Sequence, residues 1–261
     1  MQVGGATSGE SYERVVDGAS VMLYDPRLAS NLTQAWFDPD HWQAQGAMRS
    51  VARGRGNTWF VMAPEATAVA ATDSKIWVLR HYRRGGAMAA LMADRYLYRG
   101  WEQTRPWREF MLLQAMQREA LPVPRVIAAR MTRTGLWYRG DLVTEAIEDS
   151  ATLASRLLRG LVDRSLWSQL GQLVARFHAA GICHADLNAH NVLVTDQQLW
   201  LIDFDRGTRR RPGLWCDAVL VRLRRSLLKI GDLSSEVRFD EQDWVTVLQG
   251  YREGLERAGT S

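Results

Sequence analysis

Apolar and polar residues alternate in short runs along the first half of the chain. Residues 58–62 and 76–82 are rich in β-branched and aromatic side chains, and Gly/Asn or Asp/Ser residues precede each run, so both predict strands. Residues 126–131 and 136–147 predict two further strands, with a turn between them at Thr134 and Gly135.

One helical pattern separates these two strand pairs. Within residues 106–120 the apolar side chains of Phe110, Leu113 and Met116 recur at helical spacing, and the prolines at 122 and 124 predict its end. Strand, strand, helix, strand, strand is the order of a small antiparallel sheet with one helix packed on it. Residues up to about 25 predict a loosely held lead-in, with an edge hairpin at 15–25 as the alternative, and residues 33–49 are turn-like.

The second half of the chain changes to helical periodicity. Its predicted elements are helices over 152–161, 165–180, 222–230 and 240–255, and short strands over 191–194 and 199–202. Asp240 is the expected N-cap of the last helix. The pattern predicts a two-lobed α+β fold, with a mostly β N-terminal lobe over 1–148 and a mostly α C-terminal lobe over 149–261.

Composition narrows the class of protein. The 261 residues are 46% hydrophobic and 24% charged, which is ordinary for a globular protein and argues against wholesale disorder. No apolar run approaches the roughly 20 residues of a membrane span, and the N-terminal residues lack a signal-peptide pattern, so a cytoplasmic location is expected. Cys183 and Cys216 are expected to be reduced and structural.

The cations are almost all arginine, since Lys75 and Lys229 are the only lysines. Guanidinium groups bind phosphate and carboxylate oxygens in a bidentate way, so the net charge of +4 permits anionic partners. A bias toward arginine in the coding sequence would explain the same composition. The arginines are not interleaved with aromatics as in a nucleic-acid surface, and no nucleic-acid partner is predicted.

Residues 182–205 carry the most specific chemistry. His184-x-Asp186 is followed by Asn191, and a short hairpin leads to Asp203 and Phe204. Phosphoryl transfer to a hydroxyl needs one carboxylate at the hydroxyl and oxygen ligands for the Mg²⁺ that bridges the phosphates of ATP, and this spacing is typical of protein-kinase-like folds. Asp186 is the predicted catalytic residue, with Asn191 and Asp203 as metal ligands. The alternative, that they are ordinary turn formers, would need four positions to fall in register by chance.

The loop departs from the kinase pattern at one position. Asp205 stands where the glycine of D-F-G is usual, and Gly207 is the candidate for the flexible point. An inactive kinase-like binding module is the interpretation that such a departure would favour.

A nucleotide site is predicted in the N-terminal lobe. Gly54 and Gly56 precede a strand and could cover phosphates with backbone amides, although a plain turn has the same pattern. Arg80 occupies the position of the usual V-A-I-K lysine, and we favour it over Lys75 as the residue that contacts the phosphates. Glu109 on the following helix is its expected partner. The alternative is a surface arginine and a solvated glutamate.

Several stretches together resemble a narrower group, the bacterial 3-deoxy-D-manno-octulosonic acid (Kdo) kinases of the lipopolysaccharide kinase family. The resemblance spans about residues 54–229 and rests on VLRHYRRGG, DRYLYRGWEQTRPWREF, LPVPRVIAAR, HADLNAHNVLV, LWLIDFDRG and LVRLRRSLLK. It implies transfer of phosphate from ATP to the 4-hydroxyl of a Kdo residue on a lipid A precursor, at the cytoplasmic face of the inner membrane, with Asp186 as the catalytic residue.

That acceptor is anionic and lipid-linked, and two basic regions could serve it. Arg80, Arg83 and Arg84 beside Gly85–Gly86 could bind its anionic oxygens, and the helix RLRRSLLK with Arg206 and 209–211 could rest on an anionic inner-membrane surface as a peripheral contact. A solvated helix face is the alternative for the second region. A kinase for another small-molecule or sugar acceptor is the alternative activity. A protein kinase is disfavoured, because this sequence has no A-P-E segment after Asp203.

Overall fold

The chain divides into two compact units in a computed structural model. The first unit is Met1–Gln114 with Pro124–Glu148, and the second is Ala115–Val123 with Asp149–Ser261. The structure describes residues 2–4, 12–29, 31–52, 58–64, 76–83, 94–232 and 239–259. Residues 115–123, which the sequence placed in the N-terminal lobe, group with the second unit, where the Leu201 amide donates to Pro122 O at 3.0 Å.

An antiparallel sheet forms the first unit. Its strands are β1 (Gln2–Gly4), β2 (Glu13–Asp17), β3 (Ser20–Tyr24), β4 (Met48–Ala52), β5 (Thr58–Met62), β6 (Ile76–His81), β7 (Tyr96–Leu97), β8 (Val126–Thr134) and β9 (Trp137–Glu145). Their order is β1-β2-β3-β8-β9-β6-β5-β4, and β7 pairs with β9. The four strands predicted from the hydrophobic pattern are present as β5, β6, β8 and β9.

Strands β2 and β3 form an antiparallel hairpin within this sheet, so for residues 15–25 the alternative prediction of a hairpin is confirmed and the loose lead-in is wrong. Strand β3 is buried along its whole length and pairs with β8, and the turn before it places Gly18 at a φ of +59°. Residues 33–49, predicted to be turn-like, contain a 3₁₀ helix (Gln34–Phe37) and α1 (Pro39–Ala44). Both were missed because each is short, and their tryptophans pack against each other and against Trp77 on β6, which is distant in the sequence.

Tryptophans fill the core on one face of the sheet. Trp77 on β6 is buried and lies 5.3 Å from Trp36 and 6.4 Å from Trp42 between ring centroids. Leu79 is buried on the same face, because side chains two residues apart in a strand point the same way. Arg80 and Tyr82 consequently point to the other face.

Helix α2 (Arg105–Arg118) carries the next site residue, Glu109. Its start is set by Gly140 on β9, where a Cβ would lie only 2.3 Å from Pro106 Cγ. A larger residue at 140 would push the first turn of α2 away from the sheet. Phe110 and Met116 are fully buried along the helix, as their spacing predicts.

The second unit is mainly helical. It contains α3 (Leu153–Leu158), α4 (Arg164–Ala179), α5 (Trp215–Gly231) and α6 (Glu241–Gly259), with short strands β10 (Ala151–Thr152), β11 (Ile182–Cys183), β12 (Val192–Val194), β13 (Leu199–Leu201) and β14 (Thr208–Arg209). Helix α5 begins seven residues before the predicted start at 222. In its first two turns the apolar residues Ala218 and Val221 are exposed, so the apolar positions there do not keep to one face and the helical pattern is obscured.

Helices α4 and α6 approach each other closely through glycines. A Cβ at Gly171 would lie 2.0 Å from Val247 O, and one at Gly250 would lie 2.2 Å from Ser168 O. Asp240 caps α6 as predicted, because its Oδ1 accepts from the Asp243 amide at 2.9 Å. Cys183 and Cys216 are both free and buried.

Candidate active site

The loop 184–191 connects β11 to β12 and carries the predicted catalytic residue. Leu187 and Ala189 are buried and anchor it in the second unit, whereas the Asp186 carboxylate is 59% exposed. The loop therefore alternates anchoring apolar residues with polar residues that are open to a substrate.

His184 fixes the backbone of this loop. Its Nδ1 accepts from the Asp186 amide at 3.3 Å, and its Nε2 therefore carries the proton and donates to Ile202 O at 2.9 Å. Burial lowers the pKa of His184, although the Ile202 carbonyl and the charges of Asp203 and Asp186 oppose that shift. A neutral imidazole is the form that this bonding pattern requires.

Two amide side chains hold Asp186 from the other side. Asn188 Nδ2 and Asn191 Nδ2 both donate to Asp186 O, at 2.8 and 3.0 Å. The amide group of Asn191 thus uses its nitrogen within the loop, which leaves Oδ1 as the oxygen that could accept from, or coordinate, another group.

The hairpin of β12 and β13 brings Asp203 back to this loop. The Ile202 amide donates to Asn191 O at 3.0 Å, so the residue just before Asp203 is bonded to Asn191 by its N–H and to His184 by its carbonyl. Asp203 itself is exposed and has a φ of +65°, a left-handed conformation that Asp tolerates better than most residues. The left-handed residue of this loop is therefore Asp203. Gly207, predicted as the flexible point, donates to Phe204 O at 2.7 Å and closes a turn.

Phe204 anchors the segment that follows Asp203. Its ring is buried and lies 5.8 Å from Phe177 and 4.6 Å from His184 between centroids. With Phe204 fixed in the core, the neighbouring carboxylate at 203 is directed outward.

Asn191 and Asp203 are the oxygen donors in this region that could hold a divalent cation. Among the described residues, no group of three or more His, Cys, Asp or Glu side chains is placed to bind a metal. Two oxygen ligands are nevertheless enough for an ion such as Mg²⁺, which takes one or two protein ligands and completes its shell with water and phosphate oxygens. The donor set fits that chemistry.

Arg80 and Glu109 come together in the first unit. The guanidinium Nη2 of Arg80 donates to Glu109 Oε2, which also accepts from the hydroxyl of Tyr82. Arg80 Nη2 also reaches the Tyr82 hydroxyl at 3.3 Å, and its guanidinium lies 5.0 Å from the centre of that ring. Glu109 is only 2% exposed, so this carboxylate is a buried acceptor and not a solvated helix residue.

Other predicted site residues lie outside the described part of the chain. They are Gly54, Gly56, Lys75, Arg84, Gly85 and Gly86. Two residues that were not predicted from the sequence contact the predicted site residues. Tyr82 shares Glu109 with Arg80, and Arg222 on α5 donates to Asp186 Oδ1 at 2.7 Å. Tyr82 could have been found from the alternation of side chains that begins in β6, because it lies two residues after Arg80. No sequence pattern links Arg222 to Asp186.

A family model decides which group of proteins this site belongs to. The model described as the lipopolysaccharide kinase (Kdo/WaaP) family matches residues 39–251, which include the described site residues of both units. The chain belongs to the lipopolysaccharide kinase (Kdo/WaaP) family. The resemblance found in the sequence is thereby confirmed.

Relatives of this family member cover most of its length. It is 39% identical over 229 residues to the 3-deoxy-D-manno-octulosonic acid kinase of Photobacterium profundum, spanning 87% of this chain and 93% of that protein. It is 43% identical over 226 residues to the enzyme of that name from Stenotrophomonas maltophilia (strain K279a), spanning 84% and 85%. A solved structure of WaaP in complex with acyl carrier protein matches with a TM-score of 0.52 at 16% identity, covering 84% of this chain and 87% of that one, and shows the shared fold.

As a member of this kinase family, the protein is a phosphotransferase that uses ATP and a hydroxyl acceptor. The predicted α+β kinase-like fold is confirmed by the strands and helices of the two units and by the likeness to WaaP. In the described part of the chain, no helix is long and apolar enough to cross a membrane.

Proposed function

We propose that this kinase transfers the γ-phosphoryl group of ATP to the 4-hydroxyl of a Kdo residue on a lipid A precursor, in the biosynthesis of the lipopolysaccharide inner core. The relatives named Kdo kinases support the acceptor. The observation that carries the reaction is the 184–203 segment, which holds an exposed Asp186 beside Asn191 and the residue before Asp203.

Asp186 is the catalytic carboxylate in this proposal. It accepts a hydrogen bond from the acceptor hydroxyl and takes its proton as the new O–P bond forms, while the bond between the γ-phosphorus and the leaving oxygen of ADP breaks. His184 and the two asparagines keep the backbone of Asp186 fixed, so the carboxylate needs little reorganisation to meet the hydroxyl.

Asn191 and Asp203 are the metal ligands in this proposal. A bound Mg²⁺ would neutralise charge on the β- and γ-phosphates, as in other kinases. The protein's part is to present Asn191 Oδ1 and the Asp203 carboxylate in fixed positions. The bonds of Ile202 to Asn191 and His184 support that assignment, because they hold both ligands to one backbone segment.

The first unit binds the nucleotide in this proposal. Arg80 replaces the usual lysine as the cation for the α- and β-phosphates, and Glu109 with Tyr82 holds its guanidinium in place. Gly54 and Gly56 are proposed to cover the phosphates with backbone amides.

A peripheral contact with an anionic surface at the cytoplasmic face of the inner membrane completes the proposal. Leu214 is 89% exposed and lies three residues after the exposed Arg209, Arg210 and Arg211. An apolar residue beside basic ones suits a phospholipid surface, where each basic residue contributes about 1 kcal/mol. Leu214→Asn should lower binding to phosphatidylglycerol vesicles in co-sedimentation, whereas Leu161→Asn, which changes another exposed leucine, should not. Equal binding to neutral and anionic vesicles would contradict this contact.

The acceptor is tested by incubating the protein with ATP, Mg²⁺ and a Kdo-bearing lipid A precursor, followed by mass spectrometry and NMR of the product. We expect one added phosphate, on the 4-hydroxyl of Kdo. Parallel reactions with a heptose and an aminoglycoside test other acceptors. Thermal stabilisation by ATP without turnover on any acceptor would favour an inactive binding module and overturn the proposal.

A further inference from the structure

Arg222 lies directly on the proposed catalytic carboxylate, that of Asp186. Its Nη1 lies 2.7 Å from Asp186 Oδ1, and both side chains are more than half exposed. Among the described residues, the contacts of this guanidinium are with Asp186 alone. Most of its five N–H donors are therefore directed to solvent or to a substrate.

The position of Arg222 is fixed by the packing of α5. Leu223 and Leu227 are fully buried on the inner face of that helix, and Ser226 Oγ accepts from the Ala189 amide at 3.1 Å. The helix is thus bonded to the 184–191 loop at a second point, four residues from Arg222. The guanidinium is held beside Asp186 by this framework and not by its own ion pair alone.

The ion pair of Arg222 with Asp186 is not explained by a contribution to the stability of the fold. Both side chains are more than half exposed, and exposed ion pairs contribute little to the free energy of unfolding. Asp186 keeps its second carboxylate oxygen for the acceptor hydroxyl, while Arg222 occupies the first. A group on the same sugar ring as that hydroxyl would then lie next to the guanidinium.

We infer that Arg222 binds the carboxylate of the acceptor sugar and so determines its specificity for a sugar acid. The inference rests on the proposed function, because it takes the acceptor to be 3-deoxy-D-manno-octulosonic acid. That sugar carries its carboxyl group two ring carbons from the carbon that bears the proposed 4-hydroxyl. A planar guanidinium fork matches a carboxylate in two parallel hydrogen bonds, which an ammonium group could not reproduce.

Two changes, one in the protein and one in the acceptor, test this inference together. The wild type and Arg222→Gln are each assayed on the Kdo-bearing precursor with a free carboxyl group and on the same precursor with that group converted to a primary amide. Loss of a charge-assisted hydrogen bond costs about 10- to 10²-fold in kcat/KM. We expect that loss for each single change, mainly in KM, and little further loss when both are combined.

Other outcomes have distinct meanings. If Arg222→Gln loses the same factor on both acceptors, the residue acts through Asp186 alone and the inference is overturned. If the wild type accepts acid and amide equally well, the inference is also overturned while the proposed function stands. If the wild type phosphorylates neither, the proposed function itself fails.

Two further variants and one control measurement make the result interpretable. Arg222→Lys keeps the charge without the fork and should recover only part of the loss on the acid acceptor. Arg252→Gln removes an exposed arginine from α6 and should leave kcat/KM on both acceptors unchanged. Thermal unfolding of every variant checks that it is folded. The assay of the wild type on the amide acceptor tests the inference without any substitution in the protein.

Discussion

Asp186 and Arg80 sit in regions that are built in different ways. The backbone of Asp186 is held by His184, Asn188 and Asn191, which all belong to one short segment. Arg80 instead meets Glu109 from a different element, and the contact depends on how α2 packs on the sheet. A substitution of the exposed Asp186 side chain should therefore leave the fold of the first region intact. In the second region the buried Glu109 carboxylate both positions Arg80 and contributes to the stability of the fold.

The sharpest way to test the first half of this comparison is Asp186→Asn. The change removes the proton acceptor but keeps the size of an exposed side chain, so kcat should fall about 10²- to 10⁴-fold with little change in the free energy of unfolding. Steady-state kinetics and urea unfolding measure the two effects. Asp196→Asn, at a 98% exposed side chain in the turn of the β12–β13 hairpin, is the control and should leave both unchanged. Full kcat in the Asp186 variant would refute its role.

Glu109→Gln tests the second half. It leaves the guanidinium of Arg80 without its buried counter-charge, and breaking such a pair costs about 3–5 kcal/mol in the free energy of unfolding. KM for ATP should rise as well, because Arg80 loses the group that positions it. Glu102→Gln, at an exposed position just before α2, should change neither quantity. A Glu109 variant as stable as the wild type would mean that the pair contributes to positioning only.

The second unit also contains a buried neutral histidine whose stability contribution depends on pH. Burial lowers the pKa of His178 to about 4, and its Nδ1 lies 2.8 Å from the Tyr251 hydroxyl. The unfolded chain takes up this proton near pH 6.5, so stability is complete above that value and falls as the pH drops toward 4, by about 3 kcal/mol in all. Chemical unfolding between pH 7.5 and 4.5 measures this. His178→Gln should flatten the dependence, and an unchanged slope would contradict the assignment.

The same contrast explains what the sequence could predict. His184, Asp186, Asn191 and Asp203 were identified because their spacing along one segment is set by the chemistry itself. The left-handed backbone at Asp203 was not predicted, since it depends on how Phe204 packs in the core.

Contacts between distant elements were predicted less well. Arg80 and Glu109 were found by analogy with the lysine and glutamate positions usual in kinases, but Tyr82 was missed although it follows β6 on the same face as Arg80. Arg222 is 36 residues from Asp186, and only the packing of α5 brings them together. The strand β3 was predicted only as part of an alternative edge hairpin, and its burial was missed because its partner β8 lies more than a hundred residues away.

Tyr82→Phe gives the smallest and most selective test of the buried pair. It removes the hydroxyl that donates to Glu109 Oε2 and keeps the ring against Arg80, so the free energy of unfolding should fall by about 1 kcal/mol. The Arg80–Glu109 ion pair survives in this variant, and KM for ATP should therefore change much less than in Glu109→Gln. Tyr98→Phe, at a half-buried ring that stacks on Arg133, is the control and should stay within about 0.5 kcal/mol of the wild type. If Tyr82→Phe raised KM as much as Glu109→Gln does, the hydroxyl rather than the carboxylate would be what positions Arg80.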